Sequence, residues 1–315
     1  MRAMQYRSAG SPDQIVAVEV PTPRPTATQL LVKVAASSVN PVDWKLRRAQ
    51  SVFYRPVSFP SIPGADLAGV VVEVGARVSG FRPGDRVFAM ASVSKGATSA
   101  EYAVVEEQAA AYAPDNLPLA EAAAIPLAGL TALQSLRDLG GIAAGQRVLI
   151  VGAAGGVGHF AVQLAKSYGA HVTAVCSGRH AVLVRELGAD VVIDHSKHQG
   201  FSGERPYDLV FDLIARAPLR DFFAIMCPAG VYVSTLPGFS RVSATLLLPF
   251  VSRRRVRITM VKARGTDLSQ LCALCEAGML RPVIEKTFPL SGLAAAHAYS
   301  QQGHVGGKML ITIDG

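Results

Sequence analysis

Residues 151–158 read Val-Gly-Ala-Ala-Gly-Gly-Val-Gly, and this run decides the fold of the chain. It follows an apolar strand pattern at 146–151 and opens a helical spacing of apolar residues at 157–168. A strand, a glycine turn and a helix N-terminus bring backbone N–H groups and the helix dipole to one point, which favours a bound phosphate. The run therefore predicts the pyrophosphate cradle of a dinucleotide-binding domain.

The glycine fingerprint is imperfect, because Ala153 stands at the first of its three glycine positions. Gly155 at the second lets the backbone approach a phosphate, and Gly158 at the third lets the helix pack closely on its strand. An ordinary glycine-rich turn is the alternative, but a second strand at 171–176 completes the strand–helix–strand context that the motif requires. The expected cradle residues are Ala154, Gly155, Gly156, Val157 and Gly158.

Length and composition predict two domains with sizeable cores, since the chain has 315 residues, 50% of them hydrophobic and 17% charged. No run of about 18 uncharged apolar residues occurs, and the N-terminus lacks an apolar signal core. We therefore expect no membrane span and a cytoplasmic protein. Four scattered cysteines predict no disulfide framework, and we interpret Cys272-x-x-Cys275 as two buried helix positions rather than a redox or metal pair.

The formal net charge of +8 is densest just after the apolar run 244–251. One interpretation is a patch for a membrane surface or for nucleic acid, and the other, which we favour, is a solvated loop before a strand. The charge also suits a polyanionic cofactor, and nucleic acid is not expected as a partner. The arginines of this cluster are Arg253, Arg254, Arg255 and Arg257.

Strand and turn patterns divide the chain. Short strands separated by glycine and proline turns indicate a barrel-like domain in the first 120 residues, at 29–35, 67–74, 85–89 and 100–105. The middle alternates strands with helices, as in a doubly wound parallel sheet, with strands at 146–151, 171–176, 191–193, 208–212, 230–234 and 256–261. A helix, a strand, a helix and a last strand follow at 267–278, 282–287, 291–302 and 308–313. We expect residues 1–120 and 267–315 to form one domain and residues 121–266 the nucleotide-binding domain.

Seven motifs follow one another along the chain, at 39–43, 63–69, 80–87, 100–102, 127–132, 153–158 and 306–308. In that order they resemble the zinc-free, ζ-crystallin-like quinone oxidoreductase branch of the medium-chain dehydrogenase/reductase superfamily. Within the branch, Asn40-Pro-Val-Asp-Trp-Lys45 is similar to plant envelope quinone oxidoreductase homologues. The resemblance implies an α/β fold, in which a GroES-like β-barrel-type catalytic domain accompanies a Rossmann doubly wound parallel-sheet domain that binds the nucleotide.

Zinc-dependent members of the superfamily provide a test for a metal. In them a cysteine ligand would lie near residues 40–43 and a Gly-His-Glu triplet would supply a second ligand. Here those positions hold Asn-Pro-Val-Asp and Gly64-Ala65-Asp66, and residues 44–175 contain no cysteine. A catalytic zinc needs three His, Cys or carboxylate ligands, so no metal is expected. Alcohol oxidation is harder without such a Lewis acid, whereas hydride addition to a quinone or an enone needs none.

The end of the second strand indicates which nicotinamide nucleotide is bound. An NAD site usually carries Asp or Glu there, and its charge would repel a 2′-phosphate. Here Cys176 is followed by Ser177, which can donate a hydrogen bond, and by Arg179, which can pair bidentately with phosphate. The alternative is that Arg179 is a solvated residue at a helix start. We expect NADPH.

The resemblance implies further cofactor contacts. Thr131 matches a threonine on the nicotinamide side, and His195 stands where many relatives have a tyrosine near the cofactor phosphate, a departure that weakens its assignment. Plain core packing is the alternative for the apolar members of the set. The remaining implied contacts are Leu213 and Ile214 beside the adenosine, Leu236 and Pro237 after the fifth strand, and Gly307 and Lys308 near the C-terminus.

Hydride addition leaves negative charge on the carbonyl oxygen of the substrate, and a polar donor stabilises that charge. Asn40 is the best candidate donor by motif, and Lys45 could donate as well or face solvent. We expect Asp43 to organise the site or, alternatively, to cap the helix suggested at 44–48. Tyr54, in an aromatic loop, could supply a proton or simply pack, and water is the other proton source.

The leading prediction is an NADPH-dependent, zinc-independent oxidoreductase that transfers hydride to small quinones or α,β-unsaturated carbonyls. One alternative is an enoyl reductase of a biosynthetic pathway. Another is an NADPH-binding regulatory, RNA-associated or membrane-associated protein with little turnover, which the arginine cluster would favour. By resemblance, a homodimer is expected through the edge strand at 256–261.

Overall fold

The structure, a computed structural model, describes residues 1–48, 57–197, 201, 206–248, 252–303 and 305–313. The chain forms two compact units, unit 1 with Met1–Leu130 and Lys262–Gly315, and unit 2 with Thr131–Val261. The strands and α-helices are, in chain order, β1 (Arg2–Tyr6), β2 (Ile15–Glu19), β3 (Gln29–Val39), α1 (Pro41–Arg47), β4 (Asp66–Val74), β5 (Arg86–Met90), β6 (Tyr102–Glu106), β7 (Ala110–Tyr112), α2 (Leu119–Ala122), α3 (Pro126–Gln134), β8 (Arg147–Val151), α4 (Gly158–Ser167), β9 (His171–Cys176), α5 (Ala181–Glu186), β10 (Val191–Asp194), β11 (Tyr207–Asp212), α6 (Leu219–Ala224), β12 (Met226–Ser234), α7 (Phe239–Leu247), β13 (Arg255–Ile258), α8 (Gly265–Glu276), β14 (Ile284–Pro289), α9 (Leu293–Gln301) and β15 (Lys308–Thr312).

Unit 1 is built around the long strand β3. The first half of β3 pairs antiparallel with β6, its second half pairs antiparallel with β15, and β4 lies along its other edge. The sheet continues in the order β14-β15-β3-β4-β5-β7. Because strand residues alternate between two faces, one face of β3, β4 and β5 supplies a shared core. That core includes Leu30, Val32, Val34, Leu67, Val71 and Val87.

Unit 2 contains a six-stranded parallel sheet in the order β10-β9-β8-β11-β12-β13. The order reverses between β8 and β11, because the chain leaves β8 towards β9 and later returns to the other side of β8. In sheets of this kind, ligands bind outside the carboxyl ends of the strands at the reversal. The glycine turn at 152–157 follows β8, so it lies at that point.

The junctions between the units differ from those expected at 120/121 and 266/267. Helix α2 packs on β3 and β4, and the Leu127 N–H donates to the Asp66 carboxylate, so residues 119–130 belong to unit 1. Helix α8 begins at Gly265 and packs on β7, so it belongs to unit 1 as well. The sequence analysis also missed the antiparallel pair β1 and β2.

Candidate functional site

A buried carboxylate, Asp66, is the centre of a polar cluster in unit 1. Its Oδ2 accepts hydrogen bonds from Ser38 Oγ at 2.6 Å, Asn40 Nδ2 at 2.8 Å and Lys308 Nζ at 3.3 Å. Its Oδ1 accepts from the Leu127 N–H at 2.7 Å. The pairing of β3 with both β4 and β15 brings these residues together, since Ser38 lies opposite Asp66 on one side and next to β15 on the other.

Lys308 belongs to this cluster. Its side chain is 2% exposed, and its Nζ also donates to Asn40 Oδ1 at 2.5 Å. Strand β15 pairs with β3, and this side chain bonds to residues of unit 1, so its predicted contact with a nucleotide stays a prediction. The neighbouring Gly307 has φ of +105°, and a Cβ there would lie 2.4 Å from the Val283 carbonyl oxygen. Glycine at 307 is thus required by the close approach of two backbone segments.

Asn40 links the cluster to helix α1. Its amide group is engaged at both ends, by Lys308 and by Asp66, and the residue is 2% exposed. Its backbone N–H donates to Asp43 Oδ2 at 2.7 Å. The helix begins at Pro41, whose fixed φ suits a first helical position, so Asp43 lies within the first turn. Asp43 is therefore not the N-cap of a helix at 44–48; its carboxylate instead completes the capping box of α1 from the third helical position.

The Asp43 carboxyl has one oxygen without a partner. Asp43 is 3% exposed, and its Oδ1 has no hydrogen-bond partner in the part of the chain that the structure describes. Burial raises the pKa of this carboxyl to about 7; the Asn40 N–H lowers it, the charge of Asp66 raises it and Lys308 lowers it. Because Oδ2 accepts the Asn40 N–H, a proton held by Asp43 resides on Oδ1. The geometry therefore gives unit 1 a buried acid that titrates near neutral pH.

A cavity adjoins this acid. Its volume of about 10 Å³ is close to the space that one water needs, and Asp43, Tyr6, Ser61, Gly64 and Ser94 are among its lining residues. Tyr6 donates its hydroxyl to the Asp43 carbonyl oxygen at 3.2 Å. The Ser61 hydroxyl is a second buried polar atom without a partner among the described residues. A water in the cavity would satisfy such groups.

Of the other two predicted catalytic residues, the structure describes Lys45 alone. Lys45 Nζ lies 5.6 Å from the centroid of the Trp44 ring, and burial lowers its pKa. Tyr54 lies outside the described residues. Among the residues that the structure describes, no three His, Cys, Asp or Glu side chains converge as metal ligands.

Three glycines at the turn of unit 2 differ in the space around them. Gly152 has φ of +86°, and a Cβ there would lie 2.9 Å from Ile214 Cδ1. A Cβ at Gly158 would lie 2.2 Å from the Gly152 carbonyl oxygen, so α4 packs closely against the turn. A Cβ at Gly155 would meet only that same oxygen, at 3.4 Å, an ordinary contact. The protein itself therefore leaves the space beside Gly155 empty, as a cradle for a ligand requires.

The cradle also offers hydrogen-bond donors. The N–H groups of Gly156 and Val157, which precede α4, have no partner within the described ranges. The ten-residue helix that follows directs the positive end of its dipole towards them. A pyrophosphate would satisfy these donors, so the residues present fit a dinucleotide.

Residues after β9 lie next to the turn after β10. Cys176 is buried, and burial raises the pKa of its thiol to about 11. Its carbonyl oxygen accepts from the His195 N–H at 3.1 Å, which places His195 at this end of the sheet with its side chain exposed. Ser177 Oγ lies 3.5 Å from His180 Nδ1, and Arg179 is exposed. The structure thus gathers the residues predicted to meet a 2′-phosphate.

An acid that was not predicted from the sequence lies in the same place. A Cβ at Gly178 would lie 2.4 Å from Asp194 Oδ2, so this carboxylate from the end of β10 stands beside the predicted phosphate site. Asp194 accepts hydrogen bonds from the Ser196 N–H and hydroxyl and from the Gly178 N–H, and these lower its pKa. Its position at the carboxyl end of a parallel strand was the available signal.

Asp212, a second residue that was not predicted from the sequence, is bonded to both loops that were predicted to meet the cofactor, the one after β11 and the one after β12. Its Oδ1 accepts from the N–H groups of Ile214 at 3.0 Å and Ala215 at 2.8 Å. Its carbonyl oxygen accepts from Ser234 Oγ, which in turn accepts from the Leu236 N–H at 3.2 Å. One buried residue therefore positions the turn with Leu213 and Ile214 and the turn with Leu236 and Pro237.

Asp212 is connected to helix α7 as well. The Tyr232 hydroxyl donates to Asp212 Oδ2 at 2.6 Å and accepts from Arg241 Nε at 3.0 Å. Arg241 also donates to the Ala217 carbonyl oxygen at 3.1 Å and is 8% exposed. Burial and the Asp212 charge raise the pKa of Tyr232, so its hydroxyl keeps its proton.

Thr131, the remaining predicted contact in unit 2, is buried.

Comparison with known proteins bears on both units. The model of the alcohol dehydrogenase GroES-like domain matches residues 26–115, and that of the zinc-binding dehydrogenase family matches residues 187–311. The chloroplast envelope quinone oxidoreductase homologue of Arabidopsis thaliana is 36% identical, over 99% of this chain and 98% of that protein. The NADPH-dependent alkenal/one oxidoreductase of the same plant is 36% identical, over 99% and 79%. The quinone oxidoreductase structure from Coxiella burnetii superposes with a TM-score of 0.88 at 30% identity, over 100% and 99% of the two chains.

Proposed function

Since the chain belongs to the medium-chain dehydrogenase/reductase superfamily and is a quinone/enone reductase of its quinone oxidoreductase branch, we propose that it uses NADPH and works without zinc. The fold is the expected one, a GroES-like domain with a Rossmann-like parallel sheet. The substrate class that we propose is a small quinone or an α,β-unsaturated carbonyl.

The bonding of Lys308 to Asp66 and Asn40 carries the zinc-independent proposal. By the resemblance described above, residues 40–43 and 64–66 stand where zinc-dependent relatives place two of their ligands. Here an ammonium already neutralises the Asp66 carboxylate, whose Oδ2 has three hydrogen-bond donors. A divalent cation on that carboxylate would have to displace Lys308 and lie beside its charge. The donor set therefore suits a buried ion pair rather than a metal.

The residues of unit 2 fit a dinucleotide, and a bound dihydronicotinamide supplies the hydride. The Gly155 space and the N–H groups of Gly156 and Val157 would hold the pyrophosphate. Ser177 and Arg179 support NADPH, since a hydroxyl and a guanidinium both favour a 2′-phosphate. The negative charge of Asp194 would repel a 2′-phosphate, but the oxygens of this carboxylate already accept three internal hydrogen bonds.

Asn40 and Asp43 have distinct roles in the proposed reaction. The Lys308 ammonium on Asn40 Oδ1 polarises the amide, which strengthens Nδ2 as a donor to a developing oxyanion. One of the two Nδ2 hydrogens is committed to Asp66, and the other is the proposed donor. Asp43 holds a proton near neutral pH, so we propose it as the proton source for the reduced substrate.

Two assays test the proposal: oxidation of NADPH by 1,4-quinones, 2-alkenals and cyclic enones, and reduction of NADP⁺ by simple alcohols. We expect turnover with the three classes of acceptor and none with the alcohols. Robust alcohol oxidation that a chelator abolishes would show that the zinc-independent assignment is wrong.

We also propose a homodimer. Strand β13 ends the sheet of unit 2, and within the described residues it pairs only with β12, so its outer edge can pair with a second copy. A monomer by light scattering at micromolar concentration would contradict this.

No described helix is long and apolar enough to cross a bilayer. The cytoplasmic location stays a prediction.

A further inference from the structure

The turn after β9 carries Ser177 and Arg179, the two side chains proposed to meet the 2′-phosphate of NADPH. Gly178 stands between them, and Gly178 and Arg179 are both exposed. Glycine has more backbone freedom than any other residue, so an exposed glycine loosens a turn unless another group restrains it. The side chains on either side of a loose turn would have to be ordered each time a phosphate binds, and this ordering weakens binding.

The carboxylate of Asp194 restrains this glycine. Asp194 is the last residue of β10 and lies opposite Cys176 in the pairing of β10 with β9. The Gly178 N–H donates a hydrogen bond to the carboxylate. A Cβ at residue 178 would lie 2.4 Å from Asp194 Oδ2 and 3.1 Å from its Cγ, so the carboxyl group packs directly on the glycine. Only glycine at 178 permits this close approach.

The carboxylate is itself held in place by the turn after β10. Its Oδ1 accepts hydrogen bonds from the Ser196 hydroxyl at 2.7 Å and from the Ser196 N–H at 3.0 Å. The His195 N–H donates to the Cys176 carbonyl oxygen at 3.1 Å, which connects this turn to the end of β9. Asp194 therefore joins two turns, with Oδ1 bonded to the turn after β10 and Oδ2 packed on the turn after β9.

We infer that Asp194 is a positioning residue for the 2′-phosphate: by fixing Gly178 it holds Ser177 and Arg179 in the arrangement that binds this group. Asp194 then strengthens the binding of NADPH, although its charge has the same sign as that of the phosphate. The role concerns NADPH far more than NADH, because NADH has no 2′-phosphate. It rests on the proposed use of NADPH.

The charge of Asp194 opposes a phosphate only weakly. The residue is partly exposed, and water with dissolved salt screens the repulsion between charges at a protein surface. Hydrogen bonds from Ser196 and Gly178 lower the pKa of the carboxyl, and the charge of Lys197 lowers it further. The positive charge of Lys197 also offsets the field of Asp194 towards a ligand. We therefore expect the order that Asp194 gives to the turn to outweigh the repulsion.

A different task for an acid at this place would be to bind the ribose diol of NADH. That task needs carboxylate oxygens directed at the ligand, usually from the end of the second strand. Asp194 belongs to the third strand, β10, and its oxygens already accept from Ser196 and Gly178. The contacts favour positioning, and the two tasks predict opposite changes in cofactor preference.

Fluorescence titration of the full chain with NADPH and with NADH tests the inference. In Asp194→Ala we expect the Kd for NADPH to rise about tenfold and the Kd for NADH to rise less than about threefold. Removal of a negative charge by itself would change the Kd for NADPH in the other direction, so the sign of the effect separates positioning from repulsion. Thermal unfolding of each variant checks that it is folded.

Gly178→Ala tests the same contact from the other side. Its Cβ would meet Asp194 Oδ2 at 2.4 Å and push the carboxylate away, so the Kd for NADPH should rise about tenfold here too. In Asp194→Ala no carboxylate remains to be displaced. The double variant should therefore bind NADPH within about twofold of Asp194→Ala, whereas two independent effects would multiply.

Asp190→Ala is the matched control. Asp190 precedes β10 at its other end, and its carboxylate likewise accepts a backbone N–H of β9, that of Val172, at 2.7 Å. The variant thus removes the same charge and the same kind of bond between the two strands, but at the amino end of the sheet. It should bind NADPH and NADH within about twofold of the unchanged protein.

Three results would overturn the inference while NADPH remains the preferred cofactor. The first is an unchanged or lower Kd for NADPH in Asp194→Ala. The second is an equal rise for NADPH and NADH, or a rise for NADH alone, since either would exclude a role at the 2′-phosphate. The third is a double variant in which the two effects multiply. Equal Kd values for NADPH and NADH in the unchanged protein would instead contradict the proposed function, and with it the role of Asp194.

Discussion

The buried ion pair of Asp66 and Lys308 is stable only because its hydrogen bonds are complete. Removing two charges from water costs several kcal/mol each, and mutual attraction offsets this cost only with satisfied geometry. Asp66 is fully buried and Lys308 is 2% exposed. Ser38, Asn40 and the Leu127 N–H complete the acceptor capacity of the carboxylate. Removing either charge alone therefore leaves the other without compensation.

We predict that Lys308→Met lowers the free energy of unfolding of unit 1 by about 3–5 kcal/mol. The double variant Lys308→Met/Asp66→Asn should recover a large part of the loss, because it removes both charges together. Urea unfolding of the two variants measures the difference. Equal loss in both variants would show that the charge pair does not hold this cluster together.

Asp43 gives unit 1 a pH dependence of known sign. Its folded-state pKa of about 7 lies above the ordinary value of 3.8. Between these values the folded protein keeps a proton that the unfolded chain has released. The stabilising contribution of Asp43 is therefore complete below about pH 4 and is lost as the pH rises through about 7.

We predict that Asp43→Asn removes this loss, because an amide does not ionise and its oxygen still accepts the Asn40 N–H. In the unchanged protein the loss should amount to roughly 2–4 kcal/mol. Thermal unfolding at several pH values between 5 and 8 compares the two, and the exposed Asp13→Asn is the control. A parallel pH dependence in the Asp43 variant and the unchanged protein would contradict the assignment.

Two glycines of the cradle should respond differently to a methyl group. In Gly155→Ala the new Cβ meets only an ordinary contact at 3.4 Å, so stability should persist. Its methyl group would stand where the pyrophosphate approaches, so we predict NADPH affinity lower by about tenfold or more.

In Gly158→Ala the new Cβ lies 2.2 Å from a carbonyl oxygen, and we predict a loss of stability of about 1–3 kcal/mol. Fluorescence titration with NADPH and thermal unfolding separate the two effects; loss of stability in Gly155→Ala would contradict the open cradle.

At the scale of elements, the carboxyl ends of β11 and β12 act as one unit. The Asp212 carboxylate accepts hydrogen bonds from the turn after β11. The Ser234 hydroxyl donates to the Asp212 carbonyl oxygen and accepts from the Leu236 N–H, which connects Asp212 to the turn after β12. Tyr232 and Arg241 tie the same carboxylate to α7. Both turns carry residues predicted to meet the nucleotide, so the geometry of that predicted contact depends on this network.

We predict that Tyr232→Phe raises the KM for NADPH by about fivefold and changes kcat less, because the loss of one hydroxyl loosens both turns. The variant leaves Arg241 Nε without its acceptor and Asp212 Oδ2 without its donor at 2.6 Å. Tyr207→Phe, a buried tyrosine at the opposite end of β11, is the control and should leave the KM unchanged. A KM unchanged in Tyr232→Phe would exclude a positioning role for the network.

The elements themselves could be predicted where periodicity was strong. The strands at β8, β9 and β11 and the C-terminal order of α8, β14, α9 and β15 agree with the sequence within a few residues. Strand β12 begins four residues earlier than expected, and β13 ends at Ile258 rather than at 261. Pairing with neighbouring strands sets such ends, and a single sequence does not contain that information.

At the scale of the whole molecule, the site depends on contacts between distant parts of the chain. Local patterns indicated Asn40, Asp43 and the glycine turn, because each belongs to a short motif. The partners of Asp66 could not be predicted in the same way, since Lys308 is 242 residues away along the chain. Asp194 and Asp212 were missed for a related reason, because their roles arise from neighbouring strands. Within each unit, sheet pairing rather than any motif brings such a group to its partners.

The central claim is hydride transfer from NADPH without a metal. Steady-state reduction of a 1,4-quinone, with NADPH and with NADH as donors and a chelator present throughout, tests it most directly. We predict a kcat/KM at least about tenfold higher with NADPH, a ratio that Arg179→Gln lowers, and no effect of the chelator. A preference for NADH, or activity that disappears with the chelator, would contradict the account.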